Sequence, residues 1–270
     1  MTGEYYIEAW KACGVDMDKV KVLWTSDAVK DPEYWKGVID VAKSTTIQRT
    51  TRAGTIMGRK EADMKYTAQL IYPMMQAWDP FYFKADILQL GMDQRHATIL
   101  SRELAEKMGQ TKRVCVHHHL LAGLKGGGKG RMGQETATIQ IEDKMSKSKP
   151  DTAIFIHDTT SEIEQKIGNA FCPEKTAEGN PILEIWKYLI FRKFGSRTIE
   201  RSAKFGGNLE LHEYGELEKL FRAGKLHPLD LKKGTVLALD EMLAPVREHF
   251  QNNAKARELY EIVKQQKITR

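Results

Sequence analysis

The 270-residue chain is 41% hydrophobic and 29% charged, a balance that can bury a core without metals or disulfides and that excludes collagen-like, disordered and membrane-spanning classes. Its three cysteines, Cys13, Cys115 and Cys172, match no paired-ligand spacing, and no long apolar run or basic-then-apolar leader occurs, so no zinc site is expected and a reducing, cytoplasmic setting is. The net charge of +6 is concentrated in residues 110–152, with 8 basic against 4 acidic residues, compared with 15 and 15 in 1–109 and 19 and 17 in 153–270; a basic segment between near-neutral blocks suits a phosphate-bearing ligand, as it also suits a solvated loop.

Apolar positions recur at helical spacing over residues 4–13, and Gly14 stops that helix. Residues 20–24 read as a short strand. A second helix begins at Asp31 or Pro32 and runs toward Thr45, and a third, from Glu61, carries Leu70, Ile71, Met74, Met75 and Trp78. A strand at 86–90, a helix over 93–108 and a strand at 113–118 follow, and this alternation predicts an α/β fold with a Rossmann-like parallel sheet. Residues 123–133 hold six glycines in eleven positions, which predicts a flexible loop. Beyond it a capping box at Ser161 and Glu164 opens a helix, and further helices fit 181–193, 213–223, 229–250 and 255–264. The expected organisation is therefore an α/β domain over 1–152 and a helical domain over 153–270.

Lys144, Met145, Ser146, Lys147 and Ser148 follow the glycine-rich loop. Lysines and hydroxyls on a mobile loop can close over a triphosphate and neutralise charge on departing pyrophosphate. The same five residues read KMSKS and resemble the signature of class I aminoacyl-tRNA synthetases. Gly123 to Gly130 nearly spells a phosphate-binding P-loop, but Gly130 stands where Ser or Thr must hold magnesium and no helix follows to present its N-terminus.

In residues 68–83 an almost wholly apolar helix carries Tyr72, Gln76 and Asp79 at i, i+4 and i+7, on one face. A carboxylate and an amide beside apolar surface need partners, whether a polar ligand, neighbouring side chains or water. Ile71-Tyr72-Pro73-Met74-Met75-Gln76 with Asp79, and Leu90-Gly91-Met92-Asp93-Gln94-Arg95, resemble the amino-acid-binding segments of archaeal and eukaryotic tyrosyl-tRNA synthetases. The resemblance implies that Tyr72, Gln76 and Gln94 hold the ammonium end of tyrosine and that Asp79 accepts its phenol hydroxyl. It further implies that Lys144, Lys147 and Ser148 act in catalysis, with Lys144 through Ser148 contacting ATP.

Lys204-Phe205-Gly206-Gly207 and Leu226-His227-Pro228-Leu229-Asp230-Leu231 resemble the family's anticodon-reading segments, in which an aromatic stacks on the first anticodon base and an aspartate accepts from guanine. Arg49 and Arg52 match a basic segment placed near the acceptor end of tRNA. The implied partners are tyrosine, ATP with Mg2+ and tRNA(Tyr), and the implied assembly is a homodimer.

Two departures stand out. The His-x-Gly-His element that binds ATP in class I synthetases does not occur, and the matched motifs put Met1 past the family's first strand and helix. An ATP contact, a tyrosine contact and a covering strand are then expected to be missing, leaving a sheet edge and apolar helix faces exposed. Residues 125–143 form an insertion before the signature. The histidines His117, His118 and His119 alternate faces of a strand and are expected to pack rather than to bind metal. Two rival readings remain, a tRNA-binding paralogue without adenylation and a tryptophanyl-tRNA synthetase; the polar stripe speaks against the second, since an indole offers only a donor.

Overall fold

The computed structural model describes residues 1–54, 64–126, 144–145 and 149–266. They group into two compact units, one of the described residues in Val22–Leu120, the other of Met1–Lys21 with the described residues from Leu121 onward. By contact, then, the N-terminal helix joins the C-terminal block, across the division at residue 153 drawn along the sequence.

The unit from Val22 is α/β. Helix α3 (Pro32–Ser44) starts where expected: Asp31 caps it by accepting from the Glu33 amide at 2.9 Å, and Pro32, lacking an N–H, takes the first turn. Its buried positions Tyr34, Val38 and Val41 fall at i, i+4 and i+7, one face of the helix. That face packs with α4 (Ile47–Gly54), α5 (Ala68–Tyr82) and α6 (Arg95–Leu104) around Ala53, Ala77, Leu100 and Leu104. Trp78 and Met74 of α5 touch both this cluster and the neighbouring one of Tyr34, Val38 and Ala28, the last from the short helix α2 (Thr25–Ala28).

Strand β1 (Ile87–Gly91) pairs in parallel with β2 (Val114–His118), Ile87 opposite Val114 and Gly91 opposite His118. Both strands and the parallel pairing follow the expected alternation of elements. On one face of the pair Ile87, Val114 and Val116 are exposed.

Two expectations are corrected here. Residues 20–24 form no strand: the backbone is extended at Val20 and Trp24, but among the described residues no strand pairs with it, and an extended segment becomes a strand only through ladder hydrogen bonds. Helix α5 begins at Ala68, not at Glu61. The Gln69 side chain accepts from the Lys65 and Tyr66 amides at 2.8 and 2.9 Å, holding those residues in a turn.

In the other unit, α7 (Thr160–Gly168), α8 (Pro181–Ile185), α9 (Phe191–Phe194), α10 (Tyr214–Arg222) and α11 (Pro228–Asn252) surround Trp186, Ile163, Ile167, Leu183 and Phe221, and α12 (Ala254–Gln265) joins a second cluster through Ala256. The capping box falls two residues earlier than expected. The Glu162 amide donates to Thr159 Oγ1 and the Thr159 amide to Glu162 Oε2; both Thr-x-x-Glu and Ser-x-x-Glu frames exist, and the earlier one starts the helix two residues sooner.

A π-helical turn at Trp186–Ile190 joins α8 to α9. The block is mostly helical, as expected, but also contains an unforeseen antiparallel pair, β3 (Arg197–Ile199) with β4 (Leu209–Leu211). Helix α1 (Thr2–Ala12) packs Ala9 on Val246, Phe250 and Ala256. No helix among the described residues is long and apolar enough to cross a membrane.

Candidate functional site

The polar stripe lies on α5. Tyr72 is exposed, while Gln76 and Asp79 are half-buried. The Tyr34 hydroxyl donates to Asp79 Oδ1 at 2.7 Å, and among the described residues no donor reaches Oδ2. Burial raises the Asp79 carboxyl above its ordinary value, against the lowering effect of the Tyr34 hydrogen bond. Burial, and then Asp79 itself, push the Tyr34 phenol well above the usual tyrosine range, with Tyr72 and Tyr82 adding to the rise. Tyr34 is therefore a donor at neutral pH, and Tyr72 lies within electrostatic reach of the same spot.

One turn along the stripe, Gln76 Nε2 donates to Gln94 Oε1 at 2.9 Å. Gln76 Oε1 is buried with no hydrogen-bond partner among the described residues, and a buried acceptor left open costs about 1–3 kcal/mol unless something donates to it. Gln94 sits in the 3-10 turn Met92–Gln94 that leaves the carboxyl end of β1, the side on which open parallel sheets bind ligands. Of the four residues expected to hold an amino acid, Gln76 and Gln94 are linked to each other, and Asp79 is linked to a residue outside the set, Tyr34 of α3. At the end of β2, His117 Nε2 meets Thr98 Oγ1 at 2.8 Å and His118 Nδ1 meets Gln89. Burial, then Arg95 and His118, lower the His117 pKa, which favours the neutral ring.

The start of the lysine-serine segment is anchored. Lys144 forms an antiparallel bridge with Ala122, and the Met145 amide donates to Leu121 O at 3.0 Å while its side chain packs on the core. Ser146, Lys147 and Ser148 lie outside the described residues. So does most of the 125–143 insertion.

In the helical block, Phe205 is 62% exposed at the end of a 3-10 turn closed by Gly206 in the left-handed region, and Lys204 Nζ lies 5.8 Å from its ring centre. Asp230 stands in the first turn of α11. The two segments are tied together by Arg201, whose Nε donates to Gly207 O at 3.0 Å and whose guanidinium also donates to Lys225 O at 2.9 Å. On α4, Arg52 is exposed. Arg49 pairs with Glu103 of α6 at 2.8 Å, a structural use of that arginine. Among the described residues no three His, Cys, Asp or Glu side chains gather to hold a metal ion.

The family described as tRNA synthetases class I (W and Y) matches residues 2–244 of this sequence. The chain belongs to the class I tRNA synthetases. It is 45% identical to the tyrosine--tRNA ligase of Saccharolobus solfataricus over 96% of its own length and 72% of that protein's. It is 41% identical to the cytoplasmic tyrosine--tRNA ligase 1 of Arabidopsis thaliana, over all of this chain and 67% of that one. The structure is similar to the tyrosyl-tRNA synthetase of Pyrococcus horikoshii complexed with L-tyrosine, with a TM-score of 0.85 at 40% identity, covering 96% of this chain and 72% of that one.

For a class I tRNA synthetase, the motif positions omit two residues that the structure brings forward. Tyr34 is reached only through tertiary contact. Its sequence signal is a tyrosine in the buried i, i+4, i+7 set of an amphipathic helix, where the hydroxyl requires an acceptor. Arg201 had no such signal, because its acceptors are backbone carbonyls of two separate turns.

Proposed function

We propose that this class I synthetase is a tyrosine--tRNA ligase, with Asp79 accepting the phenol hydroxyl of tyrosine and Gln76, Gln94 and Tyr72 receiving its ammonium end. The observation that carries this reading is the acceptor pair on α5 that the described residues leave open: Asp79, with Oδ1 engaged by Tyr34 and no donor among them at Oδ2, and Gln76 Oε1, buried with no partner among them. A phenol O–H fits the first, and an ammonium group fits the second. Phenylalanine would leave the carboxylate desolvated and underpaired, which is the physical basis for rejecting it.

The reaction follows from ligand chemistry. A carboxylate oxygen of tyrosine attacks the α-phosphorus of ATP, the bond to the bridging oxygen breaks, and pyrophosphate leaves. A ribose hydroxyl at the tRNA end then attacks the tyrosyl carbonyl, and AMP departs. The lysines Lys144 and Lys147 neutralise charge on pyrophosphate, Ser148 donates a hydrogen bond to it, and Met145 and Ser146 complete the ATP-binding segment. Magnesium is taken to arrive with ATP, and no step is assigned to a protein-held metal.

Catalysis is assigned to 1–152 and anticodon binding to 153–270, with Phe205 stacking on a base, Asp230 accepting from guanine and Arg52 near the tRNA backbone. A cytoplasmic homodimer is the expected form. The free thiols of Cys13, Cys115 and Cys172 support a reducing compartment.

Isothermal titration of the chain with tyrosine, phenylalanine and tryptophan tests the specificity. Tyrosine is expected to bind far more tightly than either; equal binding, or none, refutes the assignment. Pyrophosphate exchange on the same sample separates a ligase from an RNA binder, since a binder retains tRNA affinity with no exchange.

A further inference from the structure

The reading of Asp79 as the acceptor of a phenol leaves open how a carboxylate on a helix surface is held still. Two torsions separate its oxygens from the backbone, and an unanchored carboxylate would turn toward water. In this chain its position is set from behind. Tyr34, on the neighbouring helix α3, is fully buried at 0% exposure, and its hydroxyl donates to Asp79 Oδ1 at 2.7 Å.

The tyrosine is itself immobilised. Its ring meets Tyr82 edge-on at 5.0 Å and 83°, and Trp35 at 6.0 Å and 84°. The Tyr82 hydroxyl is in turn held by Asp31 Oδ2 at 2.8 Å, and Asp31 is the residue that caps α3. It is the rings of Tyr82 and Trp35 that hold the Tyr34 ring, and the Tyr34 hydroxyl alone that reaches an oxygen of Asp79. A phenol has a single proton to donate. With that proton on Oδ1, Oδ2 is the oxygen left to receive a donor from a ligand.

We infer that Tyr34 is a positioning residue for amino-acid specificity: it fixes the Asp79 carboxylate with one oxygen occupied and presents the other to the hydroxyl of free tyrosine. This rests on the proposed role of Asp79. A second effect accompanies the first. Burial works toward protonating Asp79 and the Tyr34 hydrogen bond works against it, so the same contact keeps the carboxylate an acceptor. The titratable groups around the pair are Tyr34 from α3 and Tyr72 and Tyr82 from α5.

The test is the Tyr34→Phe substitution, which removes one oxygen from a buried ring and keeps its shape. Tyr82→Phe serves as the control, because it removes a neighbouring phenol that does not touch Asp79. Tyrosine and phenylalanine affinities are measured by calorimetry across pH for the parent, both variants, Asp79→Asn and the Tyr34→Phe/Asp79→Asn double variant.

Tyr34→Phe is expected to weaken tyrosine binding by about 10- to 100-fold, the range for a hydrogen bond to a charged group, with phenylalanine binding changed by less than about threefold on the same scale. The acid limb of tyrosine binding should move to higher pH. In the Asp79→Asn background the substitution should leave the tyrosine-to-phenylalanine ratio unchanged, as coupled residues require. Tyr82→Phe should alter neither ratio nor acid limb.

An unchanged ratio and acid limb in Tyr34→Phe overturns the inference while leaving the role of Asp79 intact. An equal loss for both ligands also overturns it, since that marks a merely structural residue. Failure of the parent to discriminate, or retention of the ratio by Asp79→Asn, overturns the reading of Asp79 and this inference with it.

Discussion

Gly37 lies in the middle of α3, where alanine would be the better helix former by about 0.8–1.0 kcal/mol. The structure reverses that preference. A Cβ at residue 37 would sit 2.0 Å from Trp78 Cε2, 2.3 Å from Cζ2 and 2.4 Å from Nε1, whereas carbon atoms in contact rest about 3.5–4.0 Å apart. Trp78 is wedged between two core clusters, so relief requires α3 and α5 to separate by about 1.5 Å on that scale. Such a shift would stretch the 2.7 Å contact between Tyr34 and Asp79 beyond hydrogen-bond range.

Overpacking of this kind costs about 1–3 kcal/mol, and loss of a hydrogen bond to a charged group about 1.5–3 kcal/mol. After the helix-propensity gain, Gly37→Ala is expected to destabilise the chain by about 1.5–5 kcal/mol. Urea denaturation of the parent and the variant reads this directly. The same substitution is then made in a Trp78→Leu background, which removes the indole edge, and there it should be neutral or stabilising by up to about 1 kcal/mol. A Gly37→Ala variant more stable than the parent, or an identical loss in both backgrounds, refutes the close-approach argument.

Three further outcomes are expected. Thr235→Val should lower stability by about 1–3 kcal/mol in guanidinium denaturation, because the Trp186 Nε1 that donates to Thr235 Oγ1 at 2.8 Å is fully buried; Thr235→Ser should recover most of the loss, and a neutral valine would remove that role. Burial raises the Glu8 carboxyl, but hydrogen bonds from Lys11 and His249 outweigh it and leave the group below its ordinary value of 4.5. Its stabilisation is present above that ordinary value and lost as pH falls through the lower folded one, so amide exchange in α1 should quicken below about pH 4.5 in the parent and lose that dependence in Glu8→Gln. Phe205→Ala should weaken tRNA binding by about 5- to 150-fold, the range for losing one base stack, without changing tyrosine affinity; equal tRNA affinity at matched salt would exclude stacking at that exposed ring.

Much of the local structure could be read from neighbours within a turn or two. Asp31 with Pro32 marked the start of α3, the run at 86–90 marked a strand, and Tyr72, Gln76 and Asp79 fell on one face because 3.6 residues make a helical turn. The lysine-serine signature and the motif order marked the family for the same reason: each is a short, contiguous pattern. Helix α5 began later than its periodicity suggested because a side-chain turn at Gln69 competed for the backbone.

What the tertiary structure alone decided were the pairings between distant residues. Tyr34 and Asp79 are 45 positions apart, and only the close crossing of α3 and α5, set by Gly37 against Trp78, brings hydroxyl and carboxylate together. The extended segment at 20–24 has strand-like sequence, but strand character depends on a neighbour that no local pattern encodes. Helix α1 packs on Val246, Phe250 and Ala256, more than two hundred residues away. Periodicity states which face of an element is apolar, and which other face it meets is settled by the packing of the whole chain.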